Sequence, residues 1–149
     1  MSFLKKPITS ILFITLFFLS TADVAYAQVD QIEGVWLNEK KDAKIQIYKG
    51  TDGKFYGKII WLKEPIKNGS TKLDEKNPKQ NLKNQSIVGL VILKGCKKED
   101  NTYEDGTIYD PENGKTYDCT ITHKGSILAL RGYIGISLLG RTTKWERAS

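Results

Sequence analysis

Arg131-Gly-Tyr-Ile-Gly135-Ile-Ser-Leu-Leu-Gly140-Arg141 is the stretch whose reading decides the fold of this chain. Strand-forming runs flank it, Ile127–Leu130 before and Thr142–Trp145 after, and glycines interrupt it, so it reads as a β-hairpin. With the centre of pairing near Ile136, Arg131 and Arg141 fall opposite each other. Like charges facing across a ladder are destabilising unless an anion lies between them. Two anions are open: an internal carboxylate such as Asp110, or a ligand.

Working outward, turn signals cut the remaining chain into short strands. Ile32–Leu37 is the first, and Ala43–Lys49 alternates with Ala43, Ile45 and Ile47 on one face. Thr51-Asp52-Gly53 turns the chain into Lys54–Lys63, which sets Phe55, Gly57, Ile59 and Trp61 on one face. Ile87–Cys96, Thr102–Tyr109, Lys115–His123, Ile127–Tyr133 and Leu139–Arg147 follow, joined mostly by local turns. No long helical period and no repeat is present. The expectation is an all-β domain of eight antiparallel strands in up-and-down order. Closing such a meander removes its two edges, and glycines at 57, 89, 95, 106, 132, 135 and 140 permit the bending that closure requires. A barrel is favoured over a sandwich.

One connection, Glu64–Ser86 between strands 3 and 4, is long and rich in Lys, Asn and Asp. It reads either as a lid over one barrel mouth or as an insertion with a short helical turn at Lys79–Lys83.

The N-terminus carries Lys5 and Lys6, an apolar run at Ile8–Leu19 and Ala25-Tyr26-Ala27, the pattern of a cleavable signal peptide over Met1–Ala27. The domain expected is therefore residues 28–149, exported to the periplasm or the extracellular space, with no transmembrane anchor after cleavage. Without Lys5, Lys6 and Asp23, the totals of 23 basic and 17 acidic residues become 21 and 16, a net charge of +5. No base-reading motif accompanies that charge, so no nucleic-acid partner is expected. Cys96 and Cys119 lie two strands apart, roughly 9–10 Å, which argues against a bridge and for two buried thiols, although export permits either.

Gly34-Val35-Trp36 resembles the Gly-x-Trp opening of lipocalins and other calycins. Asp52-Gly-Lys-Phe-Tyr-Gly-Lys-Ile-Ile-Trp61-Leu62, Asp74-Glu-Lys-Asn77-Pro78, Gly106-Thr-Ile-Tyr-Asp110-Pro-Glu-Asn-Gly-Lys-Thr-Tyr117 and Arg131 through Trp145 resemble the secreted bacterial family called domain of unknown function 2147. The resemblance spans nearly all of residues 28–149. It implies a lipocalin-like fold, a periplasmic or secreted protein, binding of a small apolar molecule and no established reaction. It also implies that Gly34, Trp36, Trp145 and Arg147 are structural, with Arg147 stacked on Trp36 at the closed end of the barrel. Relatives often carry tryptophan three residues before Gly106, where this chain has Tyr103.

The candidate site is the arginine pair, since guanidinium groups grip carboxylates bidentately. Arg131 and Arg141 would hold the polar end of an amphipathic ligand such as a fatty acid. Trp61, Tyr109, Tyr117 and Tyr133 would contact its body, with Asp110 and Asn77 nearby. Asn77 and Asp74 could instead pin the long connection over the barrel. His123 is the only histidine and the cysteines lack ligand spacing, so no metal, cofactor or catalytic residue is expected. The leading reading is a non-catalytic binder of a small ligand. The alternative is a cell-envelope protein–protein interaction module with a filled barrel, using the long connection and the apolar hairpin tip Tyr133–Leu139.

Overall fold

In each strand, apolar side chains at every second position turn to a common interior, and turn chemistry sets where each strand ends. The computed structural model describes residues 31–149. The signal peptide expected at Met1–Ala27 lies outside the described residues. The strands are β1 (Gly34–Leu37), β2 (Ala43–Lys49), β3 (Phe55–Leu62), β4 (Ile66–Lys67), β5 (Ser70–Thr71), β6 (Val91–Glu99), β7 (Thr102–Asp110), β8 (Lys115–Lys124), β9 (Ile127–Tyr133) and β10 (Arg141–Arg147). Eight of them close an antiparallel barrel in the order β1-β10-β9-β8-β7-β6-β3-β2. The remaining two, β4 and β5, pair as a small hairpin inside the long connection, which also holds a 3₁₀ turn at Gln80–Leu82.

Closure is made by the first and last strands, with Trp36 opposite Arg147 and Leu37 opposite Glu146. At that end Trp36 is fully buried and its indole N–H donates to the Ile32 carbonyl at 2.8 Å. The Arg147 guanidinium lies 4.0 Å from the Trp36 ring centroid and donates to the Glu33 and Gln31 carbonyls. Gly34 has φ +127°, and a Cβ there would collide with Arg147 Nη1. Only glycine therefore lets the chain pass beneath the guanidinium. The same bend explains why β1 starts at Gly34 rather than Ile32, whose side chain instead plugs the base.

The lower half of the interior is packed. Phe55 meets Tyr103 edge-on at 5.0 Å, and Ile47, Leu93, Cys96, Cys119, Ile121 and Leu128 complete the layer. Cys96 on β6 and Cys119 on β8 are both free and buried, as two thiols flanking β7. Their sulfurs approach to 4.0 Å because Gly106 on the intervening strand has no side chain, and a Cβ there would occupy the place of Cys96 Sγ.

Three further expectations are corrected. The fourth barrel strand begins at Val91, not Ile87, because Gly89 takes φ +98° and leaves the extended region. The β2–β3 ladder pairs Lys44 with Trp61 but Ile45 with Ile59, so Ile60 is an extra residue. That bulge turns Trp61 outward, where it is 41% exposed beneath the Lys44 ammonium, rather than into the barrel with Ile59. In the closing hairpin Arg131 pairs with Thr142 and Arg141 with Gly132. The register is one residue off the expected one, and because side chains alternate, a one-residue slip sends the two arginines to opposite faces.

Candidate ligand-binding cavity

Where the lower half of the barrel is filled, the upper half is hollow. A cavity of about 990 Å³ opens at the end away from Trp36. Its floor is apolar, made by Ala43, Ile45, Ile59, Ile92, Leu130 and Trp145. These are the upper inward positions of β2, β3, β6, β9 and β10. Gly132 continues the β9 row, and with no side chain there the space stays open. Ile108 and Tyr117 form the β7–β8 wall.

The rim is charged with both signs. Glu39, Lys40 and Asp42 come from the β1–β2 turn, Lys63, Lys67, Lys72, Glu75 and Lys76 from the long connection, and Glu112 from the β7–β8 turn. Lys40 forms an ion pair with Glu112 across the opening, and this partner raises the Lys40 pKa. Lys76 Nζ donates to the Glu112 carbonyl at 2.5 Å. Gly114, at φ +74°, packs so closely that a Cβ would strike the Lys76 carbonyl. The long connection and the β7–β8 turn are thus one wall.

A buried carboxylate anchors that wall. Asp74 is fully buried, accepting from Asn77 Nδ2 at 2.7 Å and from the Tyr109 hydroxyl at 2.7 Å. Its backbone N–H donates to Gln85, across the connection, at 2.9 Å. Burial and the Asp74 carboxylate push the Tyr109 hydroxyl pKa well above its ordinary value. Tyr109 lines the cavity, but its hydroxyl is committed to holding the connection down.

The remaining expected residues divide by face. Arg141 and Tyr117 line the cavity with Tyr109 and Asp110. Arg141 sits at the exposed rim with Nη2 3.8 Å from Glu39 Oε2. Asp110 does not lie between the arginines. Its oxygens accept the Glu112 N–H and Asn113 Nδ2, both at 2.9 Å, and shape the β7–β8 turn. Arg131, Trp61, Tyr133 and Asn77 are not part of the lining. Arg131 donates to the Ser137 carbonyl at 2.7 Å, the Leu138 carbonyl at 3.0 Å and Thr142 Oγ1 at 2.9 Å, bracing a 3₁₀ turn at Ser137–Leu139. Sequence reasoning missed Lys40, Glu112 and Lys76, whose only signal was charge in turns. It also missed the apolar floor, visible only once the strands were paired.

Among the described residues, no three His, Cys, Asp or Glu side chains are grouped as metal ligands.

A family described as "Uncharacterized protein conserved in bacteria (DUF2147)" matches residues 34–147. Among solved structures, protein HP1028 from the human pathogen Helicobacter pylori, described as belonging to the lipocalin family, is similar at 26% sequence identity. The TM-score is 0.69, over 81% of this chain and 84% of that one. No curated protein matches. The fold is lipocalin-like.

Proposed function

This chain belongs to the DUF2147 family of bacterial proteins, and from that premise we propose that it is an exported, non-catalytic binder of a small apolar or amphipathic ligand. One observation carries the reading: a cavity of about 990 Å³ with an apolar floor, set above a packed core. Ligand sites are typically about 300–1,000 Å³, mostly apolar, with a few polar groups that fix orientation. The likeness to a protein described as a lipocalin supports the same reading. A hollow upper half favours the binder over the interaction module, whose barrel would be filled.

The ligand's apolar body would lie against Ile92, Ile108, Leu130 and Trp145. Its polar end would reach the rim, where Arg141, Lys63 and Lys72 offer cations to a carboxylate. Arg131, which donates to the Ser137 and Leu138 carbonyls, is left out of this reading. Export rests on the charged, apolar and Ala-x-Ala pattern at Met1–Ala27.

The test is native mass spectrometry of protein purified from its own cell envelope, joined to titration with oleate as a defined probe. A co-purifying amphiphile, and oleate binding weakened at least tenfold by the cavity-filling Ile108→Trp with secondary structure retained, is the expected result. Oleate affinity unchanged by Ile108→Trp would place binding elsewhere and end the assignment.

A further inference from the structure

The connection between β9 and β10 presents a run of exposed aliphatic side chains. Ile134 is 69% exposed, Ile136 58%, Leu138 83% and Leu139 78%. Single exposed aliphatics are ordinary, but four within six residues at one tip are not. We infer that this tip inserts into the interfacial region of an anionic lipid bilayer, docking the protein with its cavity mouth toward the membrane.

Three features of the molecule support a bilayer as the occupant. The first is backbone satisfaction. A loop entering the headgroup region is favoured when part of its backbone is already paired, since the apolar phase beneath supplies no partners. Here Arg131 takes up the Ser137 and Leu138 carbonyls, and the Ser137 carbonyl also accepts the Gly140 N–H at 3.0 Å. The Ile136 N–H donates to the Ile134 carbonyl at 3.1 Å, and the Leu139 N–H to the Ile136 carbonyl at 3.3 Å. The turn is held in shape from below by Arg131, so the leucines are displayed and not collapsed onto the barrel.

The second is charge. Residues 31–149 hold 21 Lys and Arg against 15 Asp and Glu. In the long connection, Lys63, Lys67, Lys72, Lys76, Lys79 and Lys83 stand against Glu64, Glu75 and Asp74, and Asp74 is fully buried. Basic groups around an apolar insertion add attraction to anionic headgroups, each acting within about a Debye length of the surface. The third is placement. Gly132 and Arg141, which flank the tip, both line the cavity, as do Lys63, Lys67, Lys72 and Lys76. Apolar tip, lysines and opening share one end of the barrel. The docking does not require an occupied cavity, so its failure and the failure of the ligand reading are separable.

The experiment is flotation of the full chain with vesicles of phosphatidylcholine, with and without phosphatidylglycerol, under low and high salt. A second arm follows quenching by brominated lipid of the indole introduced by Leu139→Trp. Expected are quenching of that indole in phosphatidylglycerol vesicles, partition that weakens with salt, and at least a tenfold loss of partition in Leu138→Ser/Leu139→Ser with the thermal midpoint unchanged. An unquenched indole, or a double variant that partitions like the parent chain, overturns the inference. So does light scattering that shows a lipid-free dimer dissolved by the double variant, because the tip would then be a self-contact.

Discussion

The Arg131 side chain faces Thr142 across the closing hairpin and donates to its hydroxyl at 2.9 Å, which leaves Arg141 alone at the cavity rim. The two arginines therefore do different work despite their symmetric placement in sequence. Arg141→Ala should weaken oleate binding by about two- to fivefold, the scale of one solvent-exposed charge pair. Arg131→Ala should leave oleate affinity unchanged while loosening the Ser137–Leu139 turn. Isothermal titration separates the two, and equal losses would show that both reach the ligand.

At the opposite end, Arg147 covers Trp36 and caps two carbonyls. Arg147→Ala should lower stability by about 1–3 kcal/mol through the lost cation–π contact and the exposed indole face. Gly34→Ala should cost a similar amount, from strain at φ +127° and from displacement of the guanidinium. Chemical denaturation checks both. Because both changes act on one contact, the double variant should lose less than the sum of the singles.

Asp74→Ala would strip the buried partners from Asn77 Nδ2 and the Tyr109 hydroxyl. A loss of about 2–3 kcal/mol is expected, as for buried donors left without acceptors. Limited proteolysis should then cut within residues 63–90 first, since those bonds tie the connection to β7.

Tyr109 gives the alkaline behaviour. Its pKa is raised in the folded state, by burial first and by Asp74 second. The neutral form is the one the fold favours, so this stabilisation is complete below the unfolded tyrosine value near ~10 and is lost as pH rises beyond it. The denaturation midpoint should fall above that pH, and Tyr109→Phe should flatten the fall. An identical slope in the variant would assign it to other groups.

Cys119 is held protonated, its thiol pushed up by its contact with Cys96 and by burial. Both thiols are fully buried, so neither should react with iodoacetamide in the native protein and both should react in urea, as mass spectrometry would show. Gly106→Ala should cost about 1–3 kcal/mol by forcing the Cys96 sulfur aside.

Turn chemistry made most of the barrel legible. Asp52-Gly53, Asn113-Gly114 and Lys124-Gly125 each lie at a turn between paired strands, and the β2 alternation of Ala43, Ile45 and Ile47 faces inward as read. What failed was register. A bulge at Ile60 leaves no mark in an alternating pattern, so strict alternation puts Trp61 on the wrong face. The β9–β10 connection contains a 3₁₀ turn and not a symmetric loop, so counting inward from two arginines missed by one. The cavity was less legible still. Its rim depends on charged turn residues such as Lys40 and Glu112, 72 positions apart, which only the closed barrel brings together.

Trp36 and Arg147 pair on neighbouring strands, so the described chain enters and leaves the barrel side by side, at the pole remote from the opening. A peptide tag or reporter grafted at either end would leave the entrance unobstructed. A short linker joining residue 31 to residue 149, with new ends cut in the exposed Gly125-Ser126 turn, should yield a circularly permuted protein with the same ligand affinity.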